Sequence, residues 1–362
     1  MKKAPLFLCG MALFLLLALG GLLVPDRSFS PMENRLLTAA PAFSPAALLD
    51  GKWTDGLESY LQDQLPLRDG LVSLYTGWEA LRGQRALNDV ILGRENRLLD
   101  RTDGWSERSV AANAKALASL SEQSGVPVYL LAVPSAARIY PEALPARAPM
   151  ADEDALLDIA ARETALLPLV QEMEKVKDAA PLYYRTDHHW TAAGARAGYL
   201  CACRALGLEP LEEEAPTPYP GFFGSFYARC PLPFFPADSF DLPSTAGITL
   251  RVDGEEKPGC VDAEVLAGRD KYAALFYGNH PLMTLENPSA PEGTLFVLKD
   301  SYANALLPAL CRHYRRIVAA DGRYFSGNIV DAVKESKGEA VLCVYGLSTL
   351  STGRSIKLLE GL

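Results

Sequence analysis

Four short apolar runs do most to limit what this chain can fold into. They are "VPVYLLAVPS" (126–135), "GTLFVLKD" (293–300), "RRIVAAD" (315–321) and "EAVLCVYG" (339–346). Each is too short for a long core helix and holds a continuous apolar stretch, which reads as a buried strand. Amphipathic stretches at 107–123, 153–176, 191–206, 302–313 and 327–336 read as helices between and around them. Strands alternating with helices predict an α/β fold with a mostly parallel sheet covered on both faces. Ligands of such sheets gather at the carboxyl ends of the strands, so functional residues are sought just after each apolar run.

Three such positions carry chemistry. In "KDSYAN" (299–304) a strand ends at Asp300-Ser301 and a helix begins, a turn that presents a serine hydroxyl beside free backbone N–H groups. The same two residue types are also ordinary helix caps. "RTDHHWT" (185–191) holds two of the four histidines. A serine nucleophile needs a base and the base an orienting carboxylate. In an extended segment Asp187 and His189, two residues apart, would face the same side and His188 the other. "YGNHP" (277–281) offers Gly278 and Asn279, which read either as a turn or as oxyanion donors. Metal binding by Asp187, His188 and His189 is a competing reading, with His280, Asp300 or Asp321 as a further ligand. Helical HExxH spacing is absent, and no metal or cofactor is expected.

The N-terminus sets the compartment. Lys2 and Lys3 precede "PLFLCGMALFLLLALGGLLV" (5–24), and twenty residues at ~1.5 Å each span ~30 Å, the thickness of a bilayer core. The expectation is a single-pass cell-membrane anchor over 5–24, with residues 1–4 as a cytoplasmic tip and the remainder outside. A cleaved signal peptide ending near Ala18–Gly20 is the alternative. Residues 25–105 then form a proline-rich linker, two short helices broken at Pro66 and a small hairpin (89–99), together a stalk or cap on an α/β domain over 106–362. Within that domain, 211–245 is an aromatic loop, since seven prolines between 216 and 243 argue against regular elements. It reads as a binding wall or as packing over a sheet edge. The net charge of −9 excludes nucleic acid as a main partner. The seven cysteines include no CxxC pair and read mainly as buried thiols, though the compartment permits a disulfide.

With Ser, Gly, Asn and His placed, the chain resembles the SGNH (GDSL-type) hydrolase superfamily. More narrowly it resembles the DHHW proteins, bacterial relatives of the periplasmic alginate O-acetylation proteins. The likeness rests on "TDHHWT" (186–191), "YGNHP", "KDSYAN", "VPSAARIYPEALP" (133–145), "SPMENRLL" (30–37), "LLDGKW" (48–53) and "YLQDQLPLRD" (60–69). It implies an SGNH-like three-layer α/β/α domain with permuted motif order, the histidine block before the serine. It further implies Ser301 as nucleophile, His189 as base, Asp187 as its partner, and an oxyanion hole from Asn279, the Gly278 backbone and the Ser301 amide. His188, Trp190, Tyr302 and Tyr227 are the expected substrate contacts. One departure is Lys299, where the superfamily usually has glycine.

The resemblance also implies serine acyl transfer, as an O-acetyltransferase or acetylesterase acting on a cell-envelope or secreted polysaccharide. The expected partners are a glycan acceptor or acetylated glycan and a membrane-bound O-acyltransferase as acyl donor. The alternative is a non-catalytic glycan-binding or scaffold protein that keeps the SGNH fold.

Overall fold

In the computed structural model, which describes residues 3–21 and 24–352, all four apolar runs are strands of one eight-stranded sheet. Numbered along the chain within this sheet, the strands are β1 (Val128–Val133), β2 (Ala165–Leu166), β3 (Thr249–Val252), β4 (Glu255–Glu256), β5 (Leu282–Glu286), β6 (Thr294–Lys299), β7 (Arg316–Asp321) and β8 (Ala340–Gly346). Their spatial order is β4-β3-β5-β7-β6-β8-β1-β2. The pairs β7-β6, β6-β8, β8-β1 and β1-β2 are parallel, and the remaining pairs, at the β4 end, are antiparallel.

Alternation along the strands builds a core on each face, because successive side chains point to opposite sides. Leu295 and Val297 of β6 join Leu131, Val133, Ile317, Ala319, Leu342 and Val344 in one core. Phe296 and Leu298 join Leu130, Ala132, Val318, Ala320, Val341 and Cys343 in the other. Helices Leu169–Val176 and Ala192–Leu206 cover the first face through Met173, Ala195 and Tyr199. Helices Glu107–Ser124, Glu153–Glu163 and Ile329–Ser336 cover the second through Leu117, Leu120, Leu156 and Val333. These are the three layers expected.

Contacts divide the chain into two compact units, 1–84 with 227–235, and 85–226 with 236–362. Residues 85–105, read from the sequence as part of a stalk or cap, fall in the larger unit. The cause is burial: Ile91 and Leu99, paired across the short hairpin of Val90–Leu92 and Leu98–Asp100, are fully buried in its core. The aromatic segment is also more regular than its prolines suggest. Thr217–Phe222 pairs antiparallel with Asp238–Leu242, with a register shift between Pro220 and Phe222. A two-stranded ladder tolerates Pro218 and Pro220, because half of each strand's N–H groups need no partner.

In the smaller unit, helices Lys52–Gln64 and Arg68–Leu81 break around Pro66 as expected. The apolar N-terminal segment is helical over Lys3–Gly21. Residues 1, 2, 22 and 23 of the expected tip and anchor lie outside the described residues, and among the described residues no helix is long and apolar enough to cross a membrane. All seven cysteines are free thiols, six of them buried.

Candidate active site

The serine turn is built by Asp300. As the chain leaves β6, this carboxylate accepts hydrogen bonds from the Tyr302 amide (2.9 Å), the Gly346 amide (2.8 Å) and the Thr349 hydroxyl (2.7 Å). It thereby ties the turn to the end of the neighbouring strand β8. Glycine is required at 346, since a Cβ there would meet the Tyr302 ring at 2.6 Å. Ser301 opens the short 3-10 turn Ser301–Ala305 and is 9% exposed.

The histidine segment is a tight bend clamped at its base. Tyr183 bridges Trp190 antiparallel, the Tyr184 amide donates to the His189 carbonyl (3.2 Å), and the Thr191 amide to the Leu182 carbonyl (3.0 Å). Thr191 then caps helix Ala192–Leu206. Asp187, His188 and His189 therefore project at the tip of a rigid corner. Extended alternation is not what aligns Asp187 with His189. Asp187 Oδ1 accepts from both the His189 amide (2.9 Å) and His189 Nδ1 (2.5 Å), an Asx-type turn that turns the imidazole back onto the carboxylate.

The remaining ring nitrogen, His189 Nε2, lies 2.8 Å from Ser301 Oγ, across 112 residues of sequence. An ionised carboxylate only accepts, so Nδ1 carries the ring proton and Nε2 is left to accept from the serine hydroxyl. Burial would raise the Asp187 carboxyl, but the attraction of His189 and His188, with hydrogen bonds from His189 and the Ser225 amide, holds it far below the carboxylate range. Burial and the adjoining His189 push His188 down to about 4, so at neutral pH it is an uncharged neighbour. The geometry is that of a nucleophile, a base and an orienting acid in hydrogen-bonded line.

Other expected site residues are placed differently. Trp190 is fully buried, its indole N–H donating to the Tyr302 carbonyl (3.1 Å). Tyr302 is 4% exposed and its hydroxyl donates to the His188 carbonyl (2.8 Å). Both are braces of the corner, enclosed by the packing that aligns it, rather than substrate contacts. His188 is partly exposed and shares a 2.6 Å hydrogen bond with the Ser225 hydroxyl. Tyr227 belongs to the smaller unit, where its hydroxyl donates to the Leu232 carbonyl. The Gly278–Asn279 turn enters β5 at the same sheet edge as Ser301, since Leu282 pairs with Ala320 of β7 and Lys299 with Asp321. However, the Gly278 amide already donates to the Leu275 carbonyl (3.1 Å), which withdraws it from oxyanion binding. Asn279 is exposed and makes no hydrogen bond to the triad among the described residues.

Lys299 points into the fold. Fully buried, it donates to Asn304 Oδ1 (2.9 Å) with Asp321 at 3.9 Å, and burial lowers it to about 8. Asp187, His188 and His189 do bring donor atoms within 4.8 Å of one another. Both nitrogens of His189, Nδ1 of His188 and both Asp187 oxygens are already engaged in hydrogen bonds, which suits a proton relay better than a ligand set.

Three contributors escaped sequence reasoning. The Ser225 amide donates to Asp187 Oδ2 (2.6 Å), and the preceding Gly224 leaves room for it. Asp238 accepts from the Thr186 amide (2.8 Å) and the Thr186 hydroxyl (2.6 Å), fixing the approach to the corner. The Tyr272 ring stacks on His189. The glycine inside "FFGSF" is a signal for the first; for Tyr272 the sequence holds none.

Comparison with known proteins bears on this arrangement. Residues 94–219 match the family model described as SGNH hydrolase-like domain, acetyltransferase AlgX, a stretch that holds Asp187 and His189 but not Ser301. The probable alginate O-acetylase AlgJ of Pseudomonas aeruginosa is 26% identical over 209 residues, covering 54% of this chain and 51% of AlgJ. AlgJ of Pseudomonas putida is 25% identical over 248 residues, covering 62% of each chain. The chain thus spans between half and two thirds of the length of these relatives. In fold it is similar to a DHHW family protein from Eubacterium siraeum, with a TM-score of 0.61 at 21% identity over 75% of this chain and 97% of that one. It is equally similar to Bacillus cereus PatB1, solved with a sulfonyl adduct, with a TM-score of 0.61 at 20% identity over 75% and 98%. Over residues 94–219 the chain is thus similar to the SGNH hydrolase-like domain of the acetyltransferase AlgX family, and over a little more than half its length to the probable alginate O-acetylases AlgJ.

Proposed function

We propose that the chain is a serine acyl-transfer enzyme, an O-acetyltransferase or acetylesterase acting on a cell-envelope or secreted polysaccharide. The observation that carries this reading is the unbroken line Ser301 Oγ, His189 Nε2, His189 Nδ1, Asp187 Oδ1, at 2.8 Å and 2.5 Å. The relationship to probable alginate O-acetylases supports acetyl as the acyl group and a glycan hydroxyl as its acceptor.

In this mechanism His189 takes the Ser301 proton as Oγ attacks the acyl carbonyl. Asp187 holds the tautomer and stabilises the imidazolium without itself being protonated. The bond from the carbonyl carbon to the leaving group breaks, and His189 returns the proton to that group, leaving acyl-Ser301. His189 next deprotonates a sugar hydroxyl, or water, which attacks the acyl-serine, and Ser301 leaves with the proton. The Ser301 amide makes no backbone hydrogen bond among the described residues, which leaves it available to the oxyanion.

The apolar segment behind Lys2 and Lys3 supports a membrane-anchored protein with its catalytic unit outside the cytoplasm. An acyl donor would then reach it from a membrane-bound O-acyltransferase.

The test is aryl acetate turnover and labelling by a sulfonyl fluoride, on the full chain in detergent. Wild type should turn over the ester and take up one sulfonyl group on Ser301. Folded Ser301→Ala should lose both, with kcat falling at least ~10³-fold. Equal turnover in the two proteins would refute the reading. Partition of acetyl between added oligosaccharide and water then separates transferase from esterase.

A further inference from the structure

One side chain outside the triad touches two of its members. The Tyr272 ring lies flat on the His189 imidazole, with centroids 3.6 Å apart and planes 8° from parallel. Its hydroxyl donates to the Ser301 carbonyl oxygen at 2.9 Å. Tyr272 is 3% exposed, and Phe240 packs edge-on against it at 5.9 Å. It sits on the short 3-10 turn Tyr272–Ala274, at the end of a loop fastened by Lys271, whose ammonium donates to the Leu266 and Gly268 carbonyls at 2.9 Å each.

We propose that Tyr272 is a positioning residue of the triad that acts through His189 and Ser301. This deepens the acyl-serine reading and rests on it. The flat stack resists rotation of the imidazole about its ring torsion, so Nε2 stays aimed at Ser301 while Nδ1 stays on Asp187. The hydroxyl fixes the peptide that follows Ser301 and with it the direction of Oγ. The base and the nucleophile come from segments 112 residues apart, and Tyr272 joins them from a third.

The stack also acts selectively. A neutral imidazole and an imidazolium occupy the same place, but the cation is attracted more strongly, because its charge faces the negative face of the ring. His189 becomes cationic as Ser301 attacks, so the ring stabilises the transition state more than the ground state, the condition for raising kcat. The charged and titratable groups around the imidazole are few. Asp187 and His188 flank it in sequence, with His188 uncharged at neutral pH. Tyr302 approaches from the serine turn with its ring 5.2 Å away, and Asp300 lies behind it. Asp270, from the loop that carries Tyr272, faces Asp187, and burial together with that charge raises it to about 7.

The experiment compares Tyr272→Phe and Tyr272→Leu with wild type in the full chain. Two readouts are taken: the pH dependence of kcat/KM for an aryl acetate, and NMR titration of the His189 ring, which requires no turnover. Tyr272→Leu should lower kcat at least ~10-fold with little change in KM. Its imidazole titration and the acid limb of activity should both move to lower pH, by about half a unit or more. Tyr272→Phe keeps the ring, so it should keep the titration and lose only several-fold in kcat. Fluorinated phenylalanines at 272 preserve volume while draining charge from the ring face, so they read the same shift should the leucine variant not fold. Their titration should fall stepwise with fluorine number. An imidazole that titrates as in wild type in the leucine variant, or across the fluorinated series, overturns the proposal. So does a phenylalanine variant as impaired as leucine. Loss of the acyl-serine reading is seen separately, as unchanged turnover in Ser301→Ala.

Discussion

At the scale of single residues, the site is held by groups with no chemistry of their own. Gly224 shows this most sharply, because a Cβ there would lie 2.2 Å from Asp187 Oδ2. Gly224→Ala is therefore expected to push the carboxylate off His189. It should cut aryl acetate kcat at least ~10-fold and lower stability by ~1–3 kcal/mol, as overpacking against a buried side chain does. Parallel kinetics and denaturant melts check this, and wild-type values for both would contradict it. Asp187, His189 and Ser301 were legible from the sequence because the residue types declare their chemistry and each ends an apolar run. Tyr272 and Asp238 were not, since an aromatic or an acid in a loop reads the same wherever the loop goes. That the Gly278 amide is engaged by the Leu275 carbonyl was illegible for a related reason: whether a backbone N–H is free depends on the turn around it.

At the scale of elements, periodicity located the helices but not the direction their faces point. Residues 68–81 carry apolar side chains at helical spacing, which ordinarily marks a face turned to the core. In the structure Leu74, Tyr75 and Trp78 are 65%, 65% and 59% exposed, while Thr76 and Glu79 are buried. Pattern alone cannot show which side of a helix its own unit covers. Single substitutions Leu74→Gln and Trp78→Gln should consequently change unfolding free energy by less than ~0.5 kcal/mol, the range of ordinary surface changes. Equilibrium denaturation measures it, and a loss of several kcal/mol would show these residues to be core. The strands were more legible, because a buried parallel strand is apolar on both faces and leaves no ambiguity of side.

At the scale of the whole molecule, the cost of burying charge sets a pH dependence of stability. Glu153, on a helix that covers one face of the sheet, is 3% exposed. It accepts from the Ser135 hydroxyl (2.5 Å) and amide (2.9 Å) beyond the end of β1. Burial outweighs those hydrogen bonds and raises it from 4.5 to about 7. A carboxyl raised in the folded state stabilises the fold fully below its unfolded value, and that contribution is lost as pH climbs from about 4.5 through about 7. The loss from this group is ~3 kcal/mol, at ~1.4 kcal/mol per unit. Glu153→Gln should flatten stability between pH 4.5 and 7, read from denaturation midpoints across that range. A variant with the wild-type slope would rule this group out as the cause.

Local chemistry alone determined the strand and helix alternation, the three-layer class and which side chains were candidates for the site. Apolar periodicity and residue type are properties of the sequence that any fold of it must satisfy. Tertiary structure alone decided which groups meet across 112 residues, which donors are already engaged and which ring lies against the base. Those depend on contacts between segments, and segment contacts follow from how whole layers pack rather than from any neighbouring residues in the chain.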